Sequence, residues 1–190
     1  WACRFLHERG GRIVAVADAG GGVRNLEGLD VAALLEHART TRTVHGFAGG
    51  EPITNEALLR LDVDVLVPAA LGGVITEANA ADVRAGIVLE AANAPTTPRA
   101  DEILQARGVT VLPDIWVNAG GVTVSYFEWA QNIQQFTWPE ERIAAELDRH
   151  MREAYATLAR VVRERKVSFR TAAFIVAIGR VGRATALRGI

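Results

Sequence analysis

Four short apolar runs, each followed by a helical pattern, limit this chain to few folds. They cover residues 13–16 (Ile13-Val-Ala-Val16), 63–67, 87–89 and 109–112. The runs are nearly continuous rather than alternating, so each strand should be buried on both faces, as in a parallel sheet with helices on either side. Helix signals lie between them. Residues 1–9 end a helix stopped by Gly10-Gly11, and Asp30 caps one over 30–39. A short helix follows at 54–59, another is expected over 76–83 with Thr76 as N-cap, and Thr97-Pro98 opens one with proline at N1. Gly20-Gly21-Gly22 reads as a loop. After Gly121 the chain is helical. Residues 139–165 carry the stripe Ile143, Leu147, Met151, Ala154, Leu158, Val162, one buried face, and residues 170–187 form a last helix. The expected fold is α/β: a doubly wound parallel sheet with C-terminal helices.

Composition narrows the partners. Of 190 residues, 49% are apolar and 23% charged, with a net charge of −1, which gives no reason to expect nucleic acid or an anionic membrane. No signal peptide or membrane span is visible, and the single cysteine, Cys3, suits a reducing, cytoplasmic compartment. The chain opens on Trp1 and its one methionine is Met151, so the natural start is expected upstream. Its one lysine, Lys166, lies in a charged run where a solvated helix end is expected.

Chemistry-bearing residues cluster at the presumed carboxyl ends of the strands, where open α/β sheets bind ligands. Asn118 follows the last run and precedes Gly120-Gly121, a tight turn that would let a ligand approach the backbone; Ser125 lies within about a turn and a half of the helix start. A well-capped strand–helix turn explains the same residues. Asn93 ends the preceding strand, and two asparagines at adjacent tips can supply amide donors and acceptors to a sugar or a carboxamide. Pro68-Ala69-Ala70 offers small residues against which a flat ligand can lie, or a simple turn. Asp18, at the tip of the first run, is either the acidic residue that bonds an adenosine ribose or a turn-forming aspartate. Glu90 and Asp114 are candidates for acid–base work, with capping the safer role. The four histidines show no metal spacing, and no G-x-S-x-G elbow is present. Gly179-Arg-Val-Gly182 lies inside a helical pattern without a preceding strand and is not a dinucleotide loop.

Taken together, four segments resemble the carboxyl-terminal, dinucleotide-binding domain of the hexameric glutamate dehydrogenases. They are Ile53-Thr-Asn-Glu56 with residues 62–70, residues 90–101, residues 113–129, and Arg170-Thr-Ala-Ala173. Asn93-Ala-Pro-Thr-Thr-Pro98 and Asn118-Ala-Gly-Gly-Val-Thr-Val-Ser-Tyr-Phe-Glu-Trp129 are the specific signals. The resemblance implies a Rossmann-like fold lacking its first strand: residues 1–135 as a partial dinucleotide-binding domain and 136–190 as a helical segment packing on it. It implies oxidative deamination of L-glutamate to 2-oxoglutarate and ammonia, with hydride passing to NAD(P), in a homo-hexamer. By position, Asp18 is similar to the residue on the adenosine ribose and Ala70 to a backbone contact with the cofactor. Asn93 corresponds to the contact with the nicotinamide ribose and Asn118 to the contact with the nicotinamide end. Val122 and Ser125 correspond to this domain's part of the glutamate pocket, Ser125 as donor to the side-chain carboxylate.

What the chain lacks also carries weight. The family's catalytic lysine and aspartate belong to an amino-terminal domain, so no catalytic residue and no metal ligand is assigned here. The first strand and its glycine-rich turn are missing too, so a gap is expected between the strands at residues 13 and 63. The 190 residues alone are therefore expected to be inactive, poorly stable and weak in binding dinucleotide. NAD is favoured over NADP because Asp18 repels a 2′-phosphate and Ala19 lacks a hydroxyl to bind one; Arg24 in the following loop is the residue that argues for NADP. Two alternatives remain. One is a domain of a leucine, valine or phenylalanine dehydrogenase on the same scaffold; the other is a non-catalytic dinucleotide-binding module.

Overall fold

A computed structural model describes residues 1–189. They divide into two compact units: residues 1–62 with 82–84, and residues 63–81 with 85 onward.

In the first unit, helix α1 (Ala2–Glu8) precedes strands β1 (Ala15–Asp18) and β2 (Gly21–Arg24), helix α2 (Val31–Thr41), strand β3 (Glu51–Ile53) and helix α3 (Asn55–Leu59). The strands form an antiparallel sheet in the order β1-β2-β3, with Asp18 opposite Gly21 and Arg24 opposite Glu51. The glycine triplet expected as a loop is thus mostly strand. The reason is steric. A Cβ at Gly22 would come within 2.9 Å of the Ala17 Cβ, the Ile53 Cγ2 and the Val16 carbonyl oxygen, so only glycine lets the strands close there. Asp30 caps α2 by accepting the Ala33 N–H at 3.0 Å, as its position predicts. Val23, Leu29 and Leu34 form the core, joined by Ile13, Val16, Val44 and Phe47.

The second unit holds the parallel sheet. Strands β4 (Val65–Leu66), β5 (Ile87–Leu89) and β6 (Thr110–Leu112) lie side by side in that order, all parallel. The run at residue 63 therefore pairs within this sheet, whereas the run at residue 13 belongs to the antiparallel one. Between β5 and β6 runs α4 (Pro98–Ala106), capped by Thr97, with Ala100 and Leu104 fully buried. The helix expected over 76–83 is replaced by a turn and a short 3₁₀ helix (Ala80–Asp82). Asn79 competes for its backbone, accepting the Thr76 N–H at 2.8 Å and donating to the Val74 carbonyl at 2.9 Å.

After β6 come α5 (Asp114–Val117), α6 (Ala119–Gln134), α7 (Glu140–Arg165) and α8 (Phe169–Arg188). Leu158 and Val161 of α7 meet Ala172 and Ala173 of α8, with Trp116, Val162 and Phe169 packed around them. The small alanines let the two helices approach closely. Helix α7 carries Glu140 and Glu141 in its first turn and Arg163 and Arg165 in its last, complementing the helix dipole. Ser168 caps α8 by accepting the Thr171 N–H.

Candidate functional site

A groove of about 560 Å³ opens in the second unit. Its walls are Ala69 and Ala70 after β4, Ala91, Ala92 and Asn93 after β5, and Ile115, Asn118, Ala119 and Val122 of α5 and α6. It lies where parallel strands of an open sheet present their carboxyl ends. Five alanines, two after β4, two after β5 and one in α6, leave much of the lining nearly bare backbone, so a flat ring can approach it. The walls are tied together: the Ala91 and Ala92 N–H groups both donate to the Pro68 carbonyl, at 3.0 and 2.9 Å.

Asn93 and Asn118 meet in this groove. The Asn118 Nδ2 donates to Asn93 Oδ1 at 2.7 Å. The bond orients both amides and leaves the Asn93 Nδ2 as a donor and the Asn118 Oδ1 as an acceptor on residues that line the groove. Of the residues singled out in the sequence, Ala70, Asn93, Asn118 and Val122 thus line a single groove. Ser125 does not line it; its hydroxyl donates to the Gly121 carbonyl at 3.2 Å, one helical turn below. It shares a face with Val122, three residues earlier.

The backbone around Asn118 differs from the expected strand, turn and helix. Strand β6 ends at Leu112, and Pro113 and Asp114 begin α5. Asn118 is the one-residue junction between α5 and α6, and Gly120 and Gly121 are helical, with neither at positive φ. The Asn118 N–H still donates to the Asp114 carbonyl, so the second helix continues almost directly from the first. A Cβ at Gly120 would sit 3.7 Å from Leu147 of α7, ordinary contact rather than a clash.

The strained position lies elsewhere, at Ala94. Its φ of 44° is left-handed, which costs a non-glycine residue roughly 1–2 kcal/mol. Two bonds hold it: the Ala94 N–H donates to Asp114 Oδ2 at 2.7 Å, and the Ala94 carbonyl accepts the Gly73 N–H at 2.9 Å. A Cβ at Gly72 would approach the Asn93 carbonyl to 2.9 Å, so glycine is needed where the loop after β4 crosses this tip.

Beneath the tip is an ionic cluster that the sequence did not reveal. Arg170, at the start of α8, donates to Glu90 Oε1 at 2.7 Å and to Asp101 Oδ2 at 3.1 Å, and lies 3.6 Å from Asp114 Oδ1. Glu90 is completely buried, and its other oxygen accepts the Asp114 N–H at 3.0 Å. Burial works against the Arg170 charge, but bonds to Glu90 and Asp101 outweigh it and raise the guanidinium above its ordinary value. Glu90 and Asp114, candidates for acid–base work, are instead committed to this cluster and to backbone N–H groups. Arg170 and Glu90 are 80 positions apart, beyond the reach of local pattern.

Asp18 belongs to the first unit. Its Oδ1 accepts the Gly20 N–H at 2.7 Å and the Thr43 hydroxyl at 3.0 Å, and its Oδ2 accepts the Val44 N–H at 2.7 Å. Partial burial would raise its carboxyl, yet the Val44 and Gly20 amides, the Thr43 hydroxyl and nearby His45 outweigh this and hold it below the usual range. Arg24 lies in β2 rather than in a loop, and its guanidinium bonds Glu51 on the facing strand at 3.0 and 3.2 Å. Among the described residues no group of His, Cys, Asp or Glu is arranged to hold a metal ion, and no helix is long and apolar enough to cross a membrane.

Comparison with known proteins agrees with this geometry. The pattern of the glutamate/leucine/phenylalanine/valine dehydrogenase family matches residues 1–189. The chain is 51% identical over 189 residues to a glutamate dehydrogenase of Thermotoga maritima, covering all of this chain and 45% of that relative. Its fold matches the crystal structure of the hetero-hexameric glutamate dehydrogenase of Thermus thermophilus in its leucine-bound form, with a TM-score of 0.91, 31% identity, and coverage of 98% of this chain and 44% of that one. The glutamate dehydrogenase of Peptoniphilus asaccharolyticus matches with a TM-score of 0.82 and 33% identity, over 99% of this chain and 44% of that one. The chain thus spans less than half the length of these relatives.

Proposed function

The chain belongs to the glutamate/leucine/phenylalanine/valine dehydrogenase family, and from that premise we propose that it is the cofactor-binding part of a glutamate dehydrogenase. The whole protein would convert L-glutamate, water and NAD(P)⁺ to 2-oxoglutarate, ammonium, NAD(P)H and a proton. The observation that carries this is the groove in which Asn93 and Asn118 meet against an alanine-rich lining.

The residues present fit a dinucleotide. The alanine-rich lining admits a flat ring, and the paired amides offer one N–H donor and one carbonyl acceptor to a ribose or a carboxamide. When bound, the cofactor would supply a hydride acceptor for the substrate α-carbon. Asn93 and Asn118 orient its reactive end, and Ala70 contacts it through the backbone. Val122 packs against the substrate side chain, and Ser125 turns its hydroxyl from Gly121 to the substrate's distal carboxylate. Asp18 accepts from the adenosine ribose. Proton transfer to and from the amine is not supplied by these residues: the chain's one lysine, Lys166, is the left-handed C-cap of α7, at φ 54°.

NAD is the preferred cofactor in this reading. The Asp18 carboxyl is held below its usual range and stays charged, opposing a 2′-phosphate, while Arg24 is engaged by Glu51. The full-length protein assembles as a homo-hexamer and works in the cytoplasm.

The test is a panel of amino acids with the full-length protein: glutamate, leucine, valine and phenylalanine, each with NAD and with NADP. Glutamate turnover with NAD well above the rest supports the proposal. A preference for leucine, valine or phenylalanine moves the chain to a sister activity on the same scaffold. Dinucleotide binding without turnover of any amino acid would leave a binding module.

A further inference from the structure

We propose that Arg170 is a positioning residue for the dinucleotide groove, holding the loop that carries Asn93 in register with the helix α5 that leads to Asn118. This rests on the groove being the cofactor site. Two backbone N–H groups fix these two elements: Ala94, next to Asn93, donates to Asp114 at 2.7 Å, and Asp114, which opens the helix capped by Asn118, donates to Glu90 at 3.0 Å. Arg170 bonds Glu90 at 2.7 Å and lies 3.6 Å from Asp114, so both anchoring carboxylates face one guanidinium. Asp101, at 3.1 Å, holds the third side of the same fork.

Ala94 makes the arrangement sensitive. At φ 44° it prefers to relax, and a strained residue persists only where its surroundings over-determine it. The Asp114 carboxylate supplies that hold from below, and the Gly73 N–H on the Ala94 carbonyl supplies it from the side. If Arg170 is shortened or loses its fork, Asp114 Oδ1 keeps only the Ile115 N–H at 2.8 Å, the carboxylate gains freedom to turn, Ala94 relaxes, and the Asn93 amide turns away from Asn118. A planar guanidinium can bond several carboxylates at fixed angles, whereas an ammonium is a single point charge. The start of α8 thereby sets the geometry of amides distant from it in the chain.

The experiment compares three forms of the full-length protein: wild type, Arg170→Lys and Leu158→Ala. Leu158 lies in the α7–α8 core and neither lines the groove nor bonds Arg170, so its loss of stability serves as the reference for a packing defect. NADH fluorescence enhancement reads cofactor affinity, and thermal unfolding reads stability. Arg170→Lys is expected to weaken NADH binding about tenfold, since small misplacement of orienting groups is costly. Leu158→Ala is expected to lower the melting temperature at least as much and leave NADH affinity within about twofold, as expected of a packing change outside the site. Should Arg170→Lys fail to fold, Asp114→Asn takes its place. It keeps the side-chain shape and an oxygen for the Ala94 N–H but removes the charge facing Arg170, and the same tenfold loss is expected. Equal NADH affinity in wild type and the folded cluster variant overturns the positioning role while leaving the site intact. A wild-type protein that binds no dinucleotide overturns the groove's assignment and this inference with it.

Discussion

Asp18 shows how much one carboxylate can be asked to do. Its oxygens accept bonds from Gly20, Thr43 and Val44, so it ties the loop after α2 to the strand tip before any ligand arrives. Because its folded pKa lies below the ordinary 3.8, this attachment stabilises the fold fully above 3.8 and is lost as the pH falls through the depressed folded value. In urea unfolding, wild type should exceed Asp18→Asn in stability at neutral pH, and the gap should close below that point. A gap that persists unchanged into acid would show that the charge does not anchor the loop. In the proposed function the same charge selects NAD over NADP. Asp18→Ser in the full-length protein should move the NADP to NAD ratio of kcat/KM toward NADP by about tenfold, roughly 1.4 kcal/mol, within the range of a surface charge interaction. NAD turnover should fall as well, since serine cannot hold both Thr43 and Val44. An unchanged ratio would remove Asp18 from the ribose end of the site.

Among the elements, α8 contains two glycines that its packing does not require. Gly179 and Gly182 are exposed and helical, and a Cβ at either would meet nothing within 4 Å. Alanine at each should therefore stabilise the helix by about 0.8–1 kcal/mol, the backbone penalty of glycine in a helix interior. Thermal unfolding of Gly179→Ala and of the double variant checks this, and no gain would mean that α8 does not unfold with the rest. Where local chemistry decides an element, the sequence was a good guide. Asp30 and Thr97 bond as N-caps, and the runs at residues 63, 87 and 109 pair as parallel strands. It misled at two places. Gly22 lies in a strand because β2 pairs with both β1 and β3, where a Cβ would not fit, and Asn79, bonding Thr76 and Val74 locally, unmakes the helix expected after Thr76. In the groove, Asn93 and Asn118 were legible as a pair, although Asn118 reaches Asn93 from the junction of α5 and α6 rather than from a strand tip. The Arg170 cluster was not: its anchors span three segments of the chain, and no period connects them.

For the whole molecule, what remains uncovered bears directly on how these residues behave by themselves. Along α6, Val122, Tyr126, Trp129 and Ile133 recur at helical spacing and are 70%, 61%, 58% and 69% exposed. Helix α8 adds Ile178 and Val181, each 67% exposed. Soluble surfaces seldom present so large an apolar ridge uncovered. The first unit is small, residues 1–62 with 82–84, and a unit of that size buries too little apolar surface to be more than marginal by itself. We therefore expect the 190 residues expressed alone to unfold over a broad range, to bind a hydrophobic dye in the native state, and to associate as concentration rises. Cofactor binding should be weak for the same reason: a loosely held unit spends dinucleotide contact energy on ordering itself rather than on affinity. Calorimetry, dye fluorescence and NADH titration on the same sample test all three points. A single sharp cooperative transition together with micromolar NAD affinity would show that the two units need no further cover, and that the ridge on α6 is simply tolerated.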